Sequence, residues 1–239
     1  MQSSLKIGNI MDIPIKLDTS FLLALPISAY FFAINSQPYG FAGVEPTVVR
    51  YSLSTLSAIF LFVSVLLHEL AHSYLAKRYG AKIASITLLL FGGVASMEIP
   101  QKPEQEAKIA FAGPLTSLII GFICLFTYNY VISSNPALSQ NPIYLIIWVL
   151  GSMNLLLGIF NLLPAFPMDG GRILRSFLAI KMSYVKATHS AASIGKFIAI
   201  LMAIYGIYVG DLWFLLIAFY IYGSASNEDR FYSESGRSV

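Results

Sequence analysis

Leu66-Leu67-His68-Glu69-Leu70-Ala71-His72-Ser73 decides the reading of this chain. It is a His-Glu-x-x-His pattern inside an otherwise apolar run from Tyr51 to Ala76. On a helix, residues four apart share a face, so His68 and His72 point the same way. Two imidazoles placed like this can grip one metal ion, with Glu69 beside them as a general base. The helix expected from Tyr51 to about Tyr79, stopped by Gly80, would reach roughly 40 Å, enough to cross a bilayer and protrude. Ionisable side chains at membrane depth are costly, and that makes them functional candidates by default.

Composition agrees with a membrane setting. Of the 239 residues, 56% are hydrophobic and only 11% charged, and the mean hydropathy is +0.71. A soluble globular domain carries about 25% charged residues. The length suits one compact membrane domain, residues 1–223, followed by a polar tail over 224–239. The single cysteine, Cys124, allows no disulfide within the chain and reads as packing. A net charge of +3 is no nucleic-acid signal. Met1 to Leu17 lacks the compact apolar core and small-residue site of a cleaved signal peptide.

Working outward, Leu5 to Leu17 alternates loosely around Gly8-Asn9 and Pro14 and predicts two short strands or an interfacial hairpin. Spans are expected at Thr19–Ile34, Tyr51–Tyr79, Ile109–Ile132, Ile143–Leu163, Ala187–Val209 and Leu212–Tyr222. Ala81 to Pro100 carries Gly92-Gly93 and many β-branched residues, so it reads as strands or a re-entrant hairpin. Arg172 to Lys186 is basic and reads as an interfacial helix. The fold class is therefore an all-α polytopic membrane protein of about six helices with a small β element.

Lys6, Lys16, Lys77, Arg78, Lys82, Lys102, Lys108, Arg172, Arg175, Lys181, Lys186, Arg230 and Arg237 fall on one side of this topology. Arg50 alone lies opposite. The positive-inside rule puts both termini, and the small β element, on the cytoplasmic side of the cell membrane. The second and fourth spans then end on that same face. His68 and His72 sit near one of these ends and Asp169 near the other.

A catalytic zinc usually has three protein ligands and a water. Beside His68 and His72, the candidates for the third are Asp169 and His189. Asp169 is favoured by depth and by its Pro/Gly-rich surroundings, where irregular backbone can line a polar cavity. Metal would activate water and polarise a carbonyl, and Glu69 would carry the proton to a leaving amine. Blander readings stand beside these. Asp169 can be an Asp in a Gly turn, Asn161 a helix cap, Gly92-Gly93 a turn and Ala112-Gly113-Pro114 a close helix contact. A functional Asn161 would instead hydrogen-bond substrate backbone or an oxyanion.

His-Glu-Leu-Ala-His at 68–72 and Asn161-x-x-Pro164-x-x-Pro167-x-Asp169-Gly170 together resemble the site-2 protease family of intramembrane metalloproteases, in its compact prokaryotic six-span branch. Gly92-Gly93-Val94 and Ala112-Gly113-Pro114 extend the resemblance, which covers nearly the whole chain. It implies one catalytic zinc on His68, His72 and Asp169, with Glu69 as base. It also implies a substrate-positioning role for Asn161, and the family glycines extend that expectation to Gly92 and Gly93. The implied partners are the bilayer and single-span membrane proteins, such as membrane-tethered transcriptional regulators or anti-sigma factors. The loops are too short for a PDZ insert, and the sequence ends soon after the sixth span.

A substrate helix must unwind before attack, and the unwound strand can pair with an edge strand between Ile83 and Ile99 or with the N-terminal hairpin. Prolines along Ile86 to Leu90 are then expected to impair cleavage without unfolding. Two other functions compete. A metal transporter would use the same three ligands without needing Glu69, and a non-catalytic binder of membrane segments would need no metal.

Overall fold

The structure is a computed structural model that describes residues 4–89, 92–97 and 102–235. The chain packs as two compact units, Met1–Glu98 with Ala112–Ile159, and Ile99–Phe111 with Phe160–Val239.

The first unit opens with a β-hairpin. Strands β1 (Ser4–Ile10) and β2 (Ile13–Asp18) pair antiparallel. Met11 and Asp12 join them, both at positive φ (54° and 62°), as a two-residue turn that follows the strand twist demands. Two further strands, β3 (Ile83–Leu89) and β4 (Gly92–Met97), form the second hairpin. The structure joins the two hairpins, which the sequence presents as separate elements. β2 runs parallel to β3, Ile15 opposite Ile86, giving one sheet in the order β1-β2-β3-β4.

This order corrects two expectations. β3 is an interior strand, so prolines along Ile86–Leu89 would remove ladder hydrogen bonds and break the sheet. The edges are β1 and β4. Gly92 and Gly93 are not a turn but the first residues of β4, opposite Leu89 and Leu88. Leu90 and Ile99, which the expected pairing segment included, lie outside the described residues.

Helices α1 (Phe21–Ile34) and α2 (Thr47–Arg78) follow β2. Ile13 and Ile15 of β2 and Ile86 of β3 are buried with Leu70, and Leu66 packs against them, so the sheet lies on the apolar side of the last turns of α2. That end of α2 is firmly closed. Ala81 N–H donates to Ala76 C=O and Gly80 N–H to Lys77 C=O, with Gly80 at φ +85°. This left-handed cap satisfies the last carbonyls and explains why the helix stops where the sequence predicts. Lys77 Nζ reaches Met11 C=O (2.9 Å) and Asp12 Oδ2 (3.2 Å), tying the helix end to the first hairpin.

Helices α3 (Pro103–Ser134) and α4 (Pro142–Asn161) each run from one unit into the other. Within the first unit, Leu145 and Val149 of α4 pack with Phe32 of α1, Phe41, and Leu53 and Ala58 of α2.

The second unit holds α5 (Asp169–Ala179), α6 (Tyr184–Val209) and α7 (Leu212–Ser235). The expected interfacial helix from Arg172 to Lys186 is interrupted, and its last residues already belong to α6. α6 and α7 form an antiparallel pair closed at Gly210-Asp211. α7 continues well past Tyr222, so most of the polar segment after 224 is helical and not frayed. The cause is charge pairing: Glu228 meets Arg175, and Asp229 meets His189 and Lys196.

Four described helices, α2, α3, α4 and α6, are long and apolar enough to cross a membrane. At 14 residues α1 reaches only about 21 Å, against a hydrocarbon core of about 30 Å. In α7 the apolar stretch gives way to charge. Tyr208 (85% exposed) and Phe219 (81%) stand on the outside of α6 and α7, as side chains facing lipid do.

Candidate metal site

α2 presents the decisive residues from its last third. His68 and His72 are both buried, and their ring centroids lie 4.8 Å apart at an interplanar angle of 75°. The two rings therefore meet edge to face, and their outer nitrogens converge. Gly113 of α3 shows where. A Cβ built on Gly113 would lie 2.2 Å from His72 Nε2 and 2.5 Å from His68 Nε2. Both nitrogens thus border one small space that only a glycine leaves open. The close helix contact expected at Ala112-Gly113-Pro114 is present, and it falls on the imidazoles.

His68 is fixed from behind. Its Nδ1 lies 2.9 Å from Ser117 Oγ, and Ser117 is fully buried. With the proton on Nδ1 donated to Ser117, Nε2 keeps its lone pair for a ligand. Ser117 was not visible as a partner in the sequence. Its only local signal is its place one helical turn after Gly113.

Glu69 is half-buried on the neighbouring face of α2. Gly93 of β4 comes against it: a Cβ there would lie 2.5 Å from Glu69 Cγ and 3.3 Å from Oε1. The strand can pass this close to the acid because the position has no side chain. Glu69, His68, His72, Gly93, Gly113 and Ser117 therefore gather in the first unit.

Asn161 and Asp169 belong to the second unit. Asn161 is the last residue of α4. A tight loop, 162–168, follows, and Asp169 is the first residue of α5, buried, with its carboxylate at the helix N-terminus where the dipole favours an anion. The two glycines after it are needed for packing. A Cβ on Gly170 would lie 2.2 Å from Leu163 C=O, and one on Gly171 would lie 2.7 Å from Ala165 C. The Asp-Gly-Gly sequence thus lets the loop fold back onto the start of its helix. His189, the other candidate third ligand, is exposed and pairs through Nδ1 with Asp229 Oδ1 at 2.9 Å.

The second unit also buries a polar cluster that the sequence hides. Glu106 is 1% exposed and accepts from Arg175, Ser176 (3.2 Å) and Tyr184 (2.9 Å). Burial disfavours the Arg175 charge, but the Glu106 carboxylate together with Tyr184 and Tyr232 outweighs it and raises the guanidinium pKa above its ordinary range.

The geometry defines a multi-pass membrane protein whose central helix carries two convergent imidazoles. The model of peptidase family M50 matches residues 56–136 and 130–204. The chain is similar to a zinc metalloprotease of Methanocaldococcus jannaschii, 41% identical over 231 residues, 96% of this chain and 62% of the relative. Rip3 of Mycobacterium tuberculosis is 33% identical over 239 residues, 96% of this chain and 59% of that protein. The chain thus spans about three fifths of the length of these curated relatives. A solved site-2 protease from Methanocaldococcus jannaschii shares 38% identity with a TM-score of 0.63, covering 95% of each chain. The chain belongs to peptidase family M50 and has the site-2 protease fold.

Two imidazole nitrogens that converge beside Gly113, where any side chain would collide with both, fit a metal ion held between them. The nitrogen donors suit zinc, the metal named for the relative.

Proposed function

We propose that this protein is an intramembrane zinc endopeptidase, hydrolysing a peptide bond within or next to a transmembrane segment of a membrane-tethered protein. The observation that carries this reading is the convergence of His68 Nε2 and His72 Nε2 beside Gly113 on a helix of membrane-spanning length. In this reading Asp169 completes the ligand set, since it is a buried carboxylate opening a helix behind a Pro-rich loop. Bound zinc supplies Lewis acidity, lowering the pKa of water and polarising the substrate carbonyl. Glu69 takes the proton from the attacking water and delivers it to the leaving amine. Ser117 holds His68 in one tautomer and orientation.

Asn161 and the backbone at Gly92 and Gly93 position the unwound substrate. β4 is an edge strand, so an extended segment added to it would run past Gly93 and therefore past Glu69. In the same reading α1 and the apolar part of α7 complete six spans. The basic loops lie in the cytoplasm with both termini, and the site opens toward that side. The substrates are single-span regulators, membrane-tethered transcription factors or anti-sigma factors.

The test is cleavage of a purified single-span substrate in detergent or liposomes, beside a Glu69→Gln variant and a chelator-treated sample. Cleavage is expected from the untreated protein, with turnover falling by about 10²–10⁴ in Glu69→Gln while metal content stays unchanged. Full cleavage by metal-loaded Glu69→Gln would overturn the mechanism. Metal flux into vesicles without any cleavage would replace the protease reading with a transporter.

A further inference from the structure

The second unit contains a chain of buried and half-buried charges, most of which the proposed reaction does not use. Arg175 of α5 is 4% exposed and donates to Glu106 Oε1 and, at 2.6 Å, to Glu228 Oε1 of α7. The rings of Phe166, Tyr184 and Tyr232 surround its guanidinium at 5.0, 4.9 and 5.2 Å. Arg172 lies just before it on the same helix. Arg172 Nε is 3.9 Å from Glu106 Oε1, and its Nη1 is 3.8 Å from Asp169 Oδ1. Asp169, Arg172, Glu106, Arg175 and Glu228 therefore form a line of alternating sign that begins at the proposed metal ligand.

A cation beside a metal ligand acts in two opposed ways. It draws the carboxylate toward one rotamer, and it repels an arriving dication. Glu106 offsets the repulsion, since it places a second, buried anion 3.9 Å from Arg172 Nε. Glu106 is itself immobile, held by Arg175, Ser176 and Tyr184. The arrangement orients Asp169 without leaving a net positive charge next to the metal.

We propose that Arg172 and Glu106 are positioning residues for Asp169, holding its carboxylate in the orientation that takes the metal. This rests on the reading of Asp169 as a ligand. Arg172 is the residue to change, because its side chain is about a quarter exposed (24%), whereas Glu106 and Arg175 are enclosed.

The experiment measures zinc affinity of the purified full chain in detergent by competition with a chromophoric chelator, with circular dichroism as the folding control. Arg172→Gln is expected to weaken zinc binding roughly 10- to 100-fold with unchanged helix content, the usual effect of removing a partner of a metal ligand. Arg172→Lys should recover part of that loss, which a purely structural role would not produce. If folded Arg172→Gln binds zinc as well as the parent, or better, or if Arg172→Lys recovers none of the loss, while Asp169→Asn binds zinc worse, the positioning role is overturned and the ligand reading survives. Unchanged affinity in Asp169→Asn would remove the ligand reading itself, and this inference with it.

Discussion

The two units each bury a polar centre, and the two centres are built on opposite plans. The first gathers His68, His72 and Ser117 around a space kept open by Gly113. The second gathers Glu106, Arg172, Arg175 and Glu228, with three aromatic rings closing around Arg175. In one, groups that are neutral as metal ligands point toward a position for something that arrives. In the other, charges are paired within the chain and fixed. A buried ion pair contributes little net stability, because desolvation consumes most of the attraction, but breaking one is costly. In the proposed reading the first centre serves binding, and the second holds helices and one carboxylate in register.

That contrast is open to attack, beginning with the largest expected effect. Arg175→Met leaves Glu106 buried without its main cation and is expected to cost about 3–5 kcal/mol of stability. A chemical-denaturation midpoint would register this, and an unchanged midpoint would show that the second centre is not an anchor. Gly113→Ala is expected to cost about 100-fold in zinc affinity, or about 2.7 kcal/mol, since the new methyl falls on both imidazole nitrogens. Overpacking two buried rings should also cost about 1–3 kcal/mol of stability and lower its unfolding midpoint, and parent-like zinc affinity in the folded variant would refute the open-space account. Ser117→Ala should be mildest, about tenfold in zinc affinity by the same chelator competition, because it frees the His68 ring without removing a ligand.

How much of this was legible in the sequence follows from how far apart the cooperating residues lie. The imidazole pair was readable because four residues on a helix set its geometry. Gly80 was readable as a stop because a left-handed cap is a local event. The second centre was hidden. Glu106 sits in a short charged stretch beside Glu104 and Lys108, and its partners come from α5 and α6, far along the chain. The polar end of α7 reads as a tail for the same reason, since the charges that hold it lie on other helices. The parallel pairing of β2 with β3 escaped too, because each hairpin satisfies its own local pattern and nothing nearby in sequence specifies the join.

That join constrains how the protein is made. Ile15 finds Ile86 only after the whole of α1 and α2 has been synthesised between them. Until then the first hairpin waits with one edge of β2 unfilled, carrying Ile13 and Ile15, which the finished sheet buries. Pairing across so long an interval is slow because loop closure precedes any reward. The wall that stands beside Glu69 is thus completed only once β3 and β4 have followed α2. A nascent chain that ends between Arg78 and Gly92 would already carry the two histidines but not yet the strand that meets the acid.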